Sequence, residues 1–239
     1  MTTRGRRGRG TTHALRTASG VAVAALAIAA PCAGQAPDAP ARPALVVHAS
    51  TSIGTAPSRF FGSIVDRRLP SLVLEWRQPL LGDARRGLAW APALLPLVGM
   101  TGVPTRDAII FYDCANVLDP RDVRSSPCPA KWSERAAAWA AGVEPVAVRL
   151  HQRVGRATLS LRPGIGVASF VRAVPIPEGR RLNALLRVDA AVEWPVTART
   201  GALLQLGYWH LSNAGTAPLN PGVDAMQLSL GVTRAVGRR

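Results

Sequence analysis

The sequence predicts an all-β chain: an eight-stranded antiparallel transmembrane β-barrel of the outer-membrane type. Three observations predict it. Apolar residues make up 48% of the 239 residues although 18% are charged, and mean hydropathy is positive. Beyond the N-terminal region, Arg, Asp, Glu or Pro interrupts every apolar run before it reaches the ~20 residues that a membrane helix needs. The apolar residues instead recur at a period of two, the weak per-strand signal of a membrane barrel.

Residues 1–34 read as an export signal and 35–239 as a single barrel domain. Arg4, Arg6, Arg7, Arg9 and Arg16 form a basic leader, Val21 to Ala30 an apolar stretch, and Cys32-Ala33-Gly34 a small-residue cleavage region. The apolar stretch is too short to span a bilayer as a helix.

About eight strands fit the remaining length. They are expected near 44–54, 68–79, 87–99, 143–152, 156–170, 182–196, 201–212 and 224–236. From Leu182, one face reads Leu182, Ala184, Leu186, Val188, Ala190, Val192 and Trp194; the other reads Asn183, Leu185, Arg187, Asp189, Ala191 and Glu193. From Leu204, one face carries Leu204, Leu206, Tyr208, His210 and Ser212, and from Asp224 the same phase gives Asp224, Met226, Leu228, Leu230 and Val232. Around 157–167, Ala157, Leu159, Leu161, Ile165 and Val167 oppose Thr158, Ser160, Arg162, Gly164 and Gly166. A soluble sandwich would alternate too. The polar faces here, however, mix Arg162, Arg187, Asp189, Glu193 and Gln205 with Gly and Ala, as expected of a narrow lumen filled by ion pairs.

The least regular stretch is Ala91 to Val98, which is nearly all apolar and contains Pro92 and Pro96. Residues 100–142 form a long connection in which Ser133 to Trp139 suggests a helical turn capped by Ser133. Cys114 and Cys128 flank a polar, Pro-containing loop. In an exported chain such a pair is expected to form a disulfide, and no Cys/His cluster around them suggests a metal.

The formal charge is +15, and 28 of the 29 basic residues are Arg. It drops to +10 without the five leader arginines. No nucleic-acid-binding signature accompanies this charge. An anionic lipid surface suits an exported chain better, as does a solvated or lumenal Arg face.

The chemistry lies near the C-terminus. His210 and Ser212 are two residues apart on a strand, so both side chains leave the same face with Cα atoms about 6.6 Å apart. A Gly/Pro/Asn loop then returns the chain to Asp224 on the neighbouring strand, where opposed Cβ atoms lie about 5 Å apart. A base, a nucleophile and an orienting acid are the parts of an acyl-transfer triad. Candidate oxyanion donors are backbone N–H groups of the Asn213-Ala214-Gly215 turn and the side-chain amides of Asn213 and Asn220. A His and a Ser at this spacing arise often by chance, but polar groups aimed at lipid are costly and need a reason.

His210-Leu211-Ser212-Asn213-Ala214-Gly215, followed by Asn220-Pro221-Gly222 and Asp224, closely resembles the lipid A 3-O-deacylase family (PagL-type, acyloxyacyl hydrolases). That resemblance implies an eight-stranded outer-membrane barrel of a Gram-negative-type bacterium. Its substrate would be lipid A or lipopolysaccharide among outer-membrane lipid, with no cofactor or metal. It implies His210 as base, Ser212 as nucleophile, Asp224 as orienting acid and Asn220 as an aid to the oxyanion site. Well-studied members carry Glu where this chain has Asp224. The motif covers about 30 residues, and a vaguer likeness extends upstream through Pro163 to Gly166 and Gly179 to Asn183. A homodimer is left open.

Two other readings compete: a silent barrel that keeps the motif for its loop geometry, and an exported barrel with an apolar interior that binds a ligand. His48 and His151 lack partners at ligand spacing and are expected in the lumen or at an interface. Trp76, Trp90, Trp194, Tyr208 and Trp209 suit either interfacial anchoring or packing.

Overall fold

Alternating sequence becomes a closed wall when the first and last strands pair. The computed structural model describes residues 41–55, 67–104, 110–112, 130–132 and 135–237. Its strands are β1 (Ala44–Thr55), β2 (Ser71–Gly82), β3 (Arg86–Trp90), β4 (Ala93–Pro104), β5 (Ile110–Tyr112), β6 (Ala130–Trp132), β7 (Arg135–Val154), β8 (Ala157–Val174), β9 (Arg180–Pro195), β10 (Thr200–Ser212) and β11 (Val223–Ala235). Neighbours pair antiparallel around the ring, and β1 lies between β2 and β11, so the sheet has no free edge. Closure satisfies the backbone in hydrocarbon, where water cannot.

The ring has eight walls because β3 and β4 together make one of them. Ala91-Pro92 separates the two, yet Ala91 N donates to Ala147 O (2.9 Å) and Trp76 N donates to Pro92 O (3.0 Å) across the break. β5 and β6 form a separate two-stranded hairpin. Residues 1–34, Cys114 and Cys128 lie outside the described residues.

Two bulges explain where alternation fails in the sequence. In β7 the register with β8 shifts between Val143 and Val146. Glu144 faces inward before the shift and Ala147 and Arg149 face inward after it, while Pro145 and Val146 both face out. In β4 the register with β7 shifts between Leu95 and Val98, and Pro96 and Leu97 both face out. Proline has no N–H for the ladder and is tolerated at such positions. Each extra residue reverses the inside–outside phase.

The expected helical turn is absent where it can be assessed: Arg135 to Trp139 begin β7, paired with Pro104 to Gly99 of β4, and Ser133 lies outside the described residues. Helix preference at alanine amounts to only a few tenths of a kcal/mol per residue. Strand pairing at membrane depth satisfies whole backbone groups.

The outward positions form an apolar band that includes Val47, Leu94, Leu97, Val143, Val148, Leu161, Ile165, Val188, Leu206, Leu230 and Val232. Trp90, Trp139 and Trp194 are also on the outside. Inside, one end of the barrel packs Leu95, Met100, Phe170, Leu185, Trp209 and Leu211. The middle is ionic. Arg187 donates to Glu144 (2.9 Å) and Asp189 (2.8 Å), and Arg162 donates to Glu144 (2.9 Å) and to the Ala91 carbonyl at the strand break (2.8 Å). Arg77 and Arg149 share Glu193 at 2.7 and 3.3 Å, and Glu75 pairs with Arg77. Four guanidiniums thus meet four carboxylates, and the plug they form is formally neutral. The middle of the described barrel is thus lined by charged groups.

Close packing extends to backbone positions. A Cβ at Gly207 would lie 2.2 Å from Asp189 Oδ1, so glycine there makes room for the plug. His48 is buried in the lumen, whereas His151 sits at the far end with Nε2 3.1 Å from Asp83 O. Trp209 is fully buried inside, with the Arg187 guanidinium 4.2 Å from its ring centroid. It therefore packs rather than anchoring at the interface.

Candidate active site on the outer wall

The candidate site forms where β10 and β11 approach the connection 213–222. This end of the barrel carries the longer connections (56–70, 105–134, 175–179 and 213–222), and the other end carries the short ones (83–85, 155–156 and 196–199). In membrane barrels the long loops are extracellular.

Inward and outward residues alternate along β10. Leu203, Gln205, Trp209 and Leu211 are buried inside, while Leu204 and Leu206 are exposed on the outer face with Tyr208 and His210 in the same phase. The register pairs His210 directly with Asp224. The His210 Nδ1–H donates to Asp224 Oδ1 at 2.7 Å, a charge-assisted bond at its short end. Asp224 is in phase with lipid-facing Leu228 and Leu230 but is itself only 1% exposed, covered by its neighbours. The Tyr208 phenol adjoins the same carboxylate.

Ser212 is the last residue of β10 and lies opposite Ala184, which shares the outward phase of β9 with Leu186, the partner of His210. His210, Ser212 and Asp224 thus occupy one patch of the outer wall. Nδ1 faces the carboxylate, so Nε2 is the nitrogen on the opposite side of the imidazole ring. That division of the two nitrogens is what a general base beside a hydroxyl requires.

The following loop is held mainly by Asn213. Its Oδ1 accepts from Gly215 N (3.0 Å), its Nδ2 donates to Leu219 O (2.7 Å), and its N–H donates to Asn220 Oδ1 (3.0 Å). Its carbonyl accepts from Thr216 N (3.0 Å) and Thr216 Oγ1 (2.7 Å). Ala214 (φ 51°) and Gly215 (φ 76°) are both left-handed. Gly215 adopts this conformation without the Cβ penalty that Ala214 bears. Three of the expected donor groups, the N–H and side-chain amide of Asn213 and the N–H of Gly215, are therefore engaged inside the loop. The Asn220 side chain is exposed.

One contributor was not among the expected site residues. Arg180, at the start of β9, donates from Nε and Nη2 to Thr216 O at 3.0 and 2.9 Å and so ties the loop to the adjacent wall. The two are 36 residues apart, and no local sequence signal joins them. Among the described residues no group of three or more His, Cys, Asp or Glu could hold a metal ion.

Comparisons with known proteins find a similar family and a similar fold. A family model described as lipid A 3-O-deacylase (PagL) matches residues 124–233, a span that holds β6 to β10, most of β11 and the whole candidate site. The crystal structure of the outer membrane enzyme PagL is similar in fold, with a TM-score of 0.53 at 16% sequence identity, covering 80% of this chain and 99% of that one. No curated protein matches the chain. From residue 124 to 233 in sequence, and over most of its length in fold, the chain resembles the lipid A 3-O-deacylase (PagL) family.

Proposed function

We propose that this chain is an outer-membrane serine esterase that removes the acyl chain esterified at the 3-O position of lipid A. The observation that carries the reading is the His210–Asp224 hydrogen bond on the lipid-facing wall, with Ser212 two residues further along the same face.

In this reading His210 Nε2 takes the Ser212 hydroxyl proton as Ser212 Oγ attacks the ester carbonyl carbon. The carbonyl electrons move onto oxygen, and Asp224 stabilises the imidazolium. Collapse of the intermediate expels the sugar oxygen, which takes the proton from His210 and leaves an acyl-serine. Water, deprotonated by His210, then attacks the acyl carbon, and Ser212 Oγ leaves with the proton from His210 as the fatty acid is released. Asn213 and Gly215 hold the loop, while the Asn220 amide and the Ala214 N–H supply donors to the oxyanion. All the reacting groups are side-chain or backbone groups of the chain.

The same proposal includes residues 1–34 as an export signal and a Cys114–Cys128 disulfide.

Mass spectrometry of lipid A tests the reaction. Cells that express the wild type are expected to lose the mass of one 3-hydroxyacyl chain from lipid A, and cells that express Ser212→Ala are expected to keep it. An unchanged pattern with both would leave the silent-barrel reading standing. Deacylation by both would remove Ser212 as nucleophile.

A further inference from the structure

At the end of the barrel remote from the triad, a cavity of about 470 Å³ lies between the short turns and the plug. That volume is within the range of small-molecule sites, roughly 300–1,000 Å³. Six arginines line it: Arg42, Arg77, Arg149, Arg153, Arg156 and Arg199. Glu193 is the one acid among the described residues that line it.

The charge is arranged in two tiers. Arg77 and Arg149 form the buried floor and share the Glu193 carboxylate at 2.7 and 3.3 Å. Arg42, Arg153, Arg156 and Arg199 form an exposed rim on the strand ends and turns. The turns that carry the rim are shaped locally. Thr197 Oγ1 accepts from the backbone N–H of Arg199 and Thr200, and Arg153 Nε donates to Gly155 O within its own turn. The plug closes the inner end of this space, so it is a blind pocket and not a channel. Glu193 and Glu75 already compensate the two floor arginines, so the pocket's excess positive charge is that of the four rim arginines.

We infer that this pocket is an anion site for a phosphate monoester or diester group, taken up at the periplasmic face. Guanidiniums suit phosphate because they offer paired N–H donors in a planar fork. Four like charges converging on one recess add their attraction for an anion, an effect strongest at low salt because the rim is exposed. The phosphate could belong to the headgroup of an inner-leaflet anionic phospholipid or to a soluble phosphate ester, and either would dock between rim and floor.

Calorimetric titration of inorganic phosphate into the full chain, folded in zwitterionic detergent at low salt, tests the site. Saturable binding of one phosphate per barrel is expected. It should weaken about tenfold in Arg153→Ala/Arg156→Ala and again with Arg199→Ala, the scale of lost charge-assisted hydrogen bonds. Ser212→Ala should bind as the wild type does. Absence of saturable binding in the wild type, or equal affinity in the rim variants, would overturn the assignment. Repeating the titration in phosphatidylcholine nanodiscs with and without phosphatidylglycerol separates the two sources. Competition by the anionic lipid identifies a headgroup as the occupant, and undiminished phosphate binding identifies a soluble ester.

Discussion

His210 and Asp224 face each other at one register position of β10 and β11, and a 2.7 Å hydrogen bond joins imidazole to carboxylate. The short Asp side chain reaches its partner because the two residues are directly opposed. A longer acid would have to fold back at this spacing. Asp224→Asn is therefore expected to lower kcat by about a hundredfold or more, since an amide can orient the wrong tautomer and cannot stabilise an imidazolium. KM should change little. Asp224→Glu should retain more activity than Asp224→Asn. Kinetics on purified lipid A in mixed micelles would check both, and an Asn variant as fast as wild type would remove Asp224 from the mechanism.

Asn213 holds the loop with its side chain, N–H and carbonyl. Asn213→Ala should reduce kcat about tenfold to a hundredfold while the barrel stays folded, because misplaced oxyanion donors carry costs of this order. Arg180→Ala, which frees Thr216 O from the neighbouring wall, should act in the same direction but less. Migration in unheated gel samples reports folding, so loss of activity is separable from loss of structure.

In the plug, Arg187 is fully buried and serves both Glu144 and Asp189. Removing one partner of a buried ionic cluster costs about 3–5 kcal/mol, because the remaining charges lose their compensation. Arg187→Leu should destabilise the barrel by that order in urea unfolding from lipid vesicles. Adding Asp189→Leu to the same chain should recover a substantial part of the loss. If the double variant were less stable than the single one, the plug would not act as a charge-compensated unit.

Leu230 is 64% exposed on β11, in the apolar band. Leu230→Arg should cost about 2–4 kcal/mol if it sits near mid-bilayer, less toward either surface. Its neighbour Ser229 is fully buried in the lumen, so Ser229→Ala should shift stability by less than that. Vesicle-based unfolding of the two variants reads the orientation of the wall, and a reversed order would invert it.

Strands β8 to β11 were legible because alternation runs through most of their length. The lumenal set of Arg162, Arg187, Asp189, Glu193 and Gln205 appears there as a polar phase, and all five face inward in the fold. That His210 and Asp224 lie on adjacent antiparallel strands was also legible from the alternation on either side of the 213–222 connection, whereas their direct opposition comes from the ladder register. The strands up to β7 resisted for a physical reason. Bulges at Pro145 and near Pro96 reverse the phase within one strand, so a single period-two template fails on either side. The alanine-rich start of β7 favours helix locally and is overruled by its pairing with β4. Contacts such as Arg180 with Thr216, or Arg162 with the Ala91 carbonyl, join residues far apart in sequence and leave no local trace.

Along three successive residues the wall of β10 faces two environments: Tyr208 and His210 point outward while Trp209 packs inward under Arg187. Under the proposed function, the described wall gives the reacting groups a rigid backing and opens them to the surrounding leaflet, from which an acyl substrate arrives by lateral diffusion. For a catalyst built this way the governing quantity is the mole fraction of substrate in the surrounding film, not its amount per litre. Diluting that film with inert amphiphile slows turnover even when total substrate and enzyme are held constant.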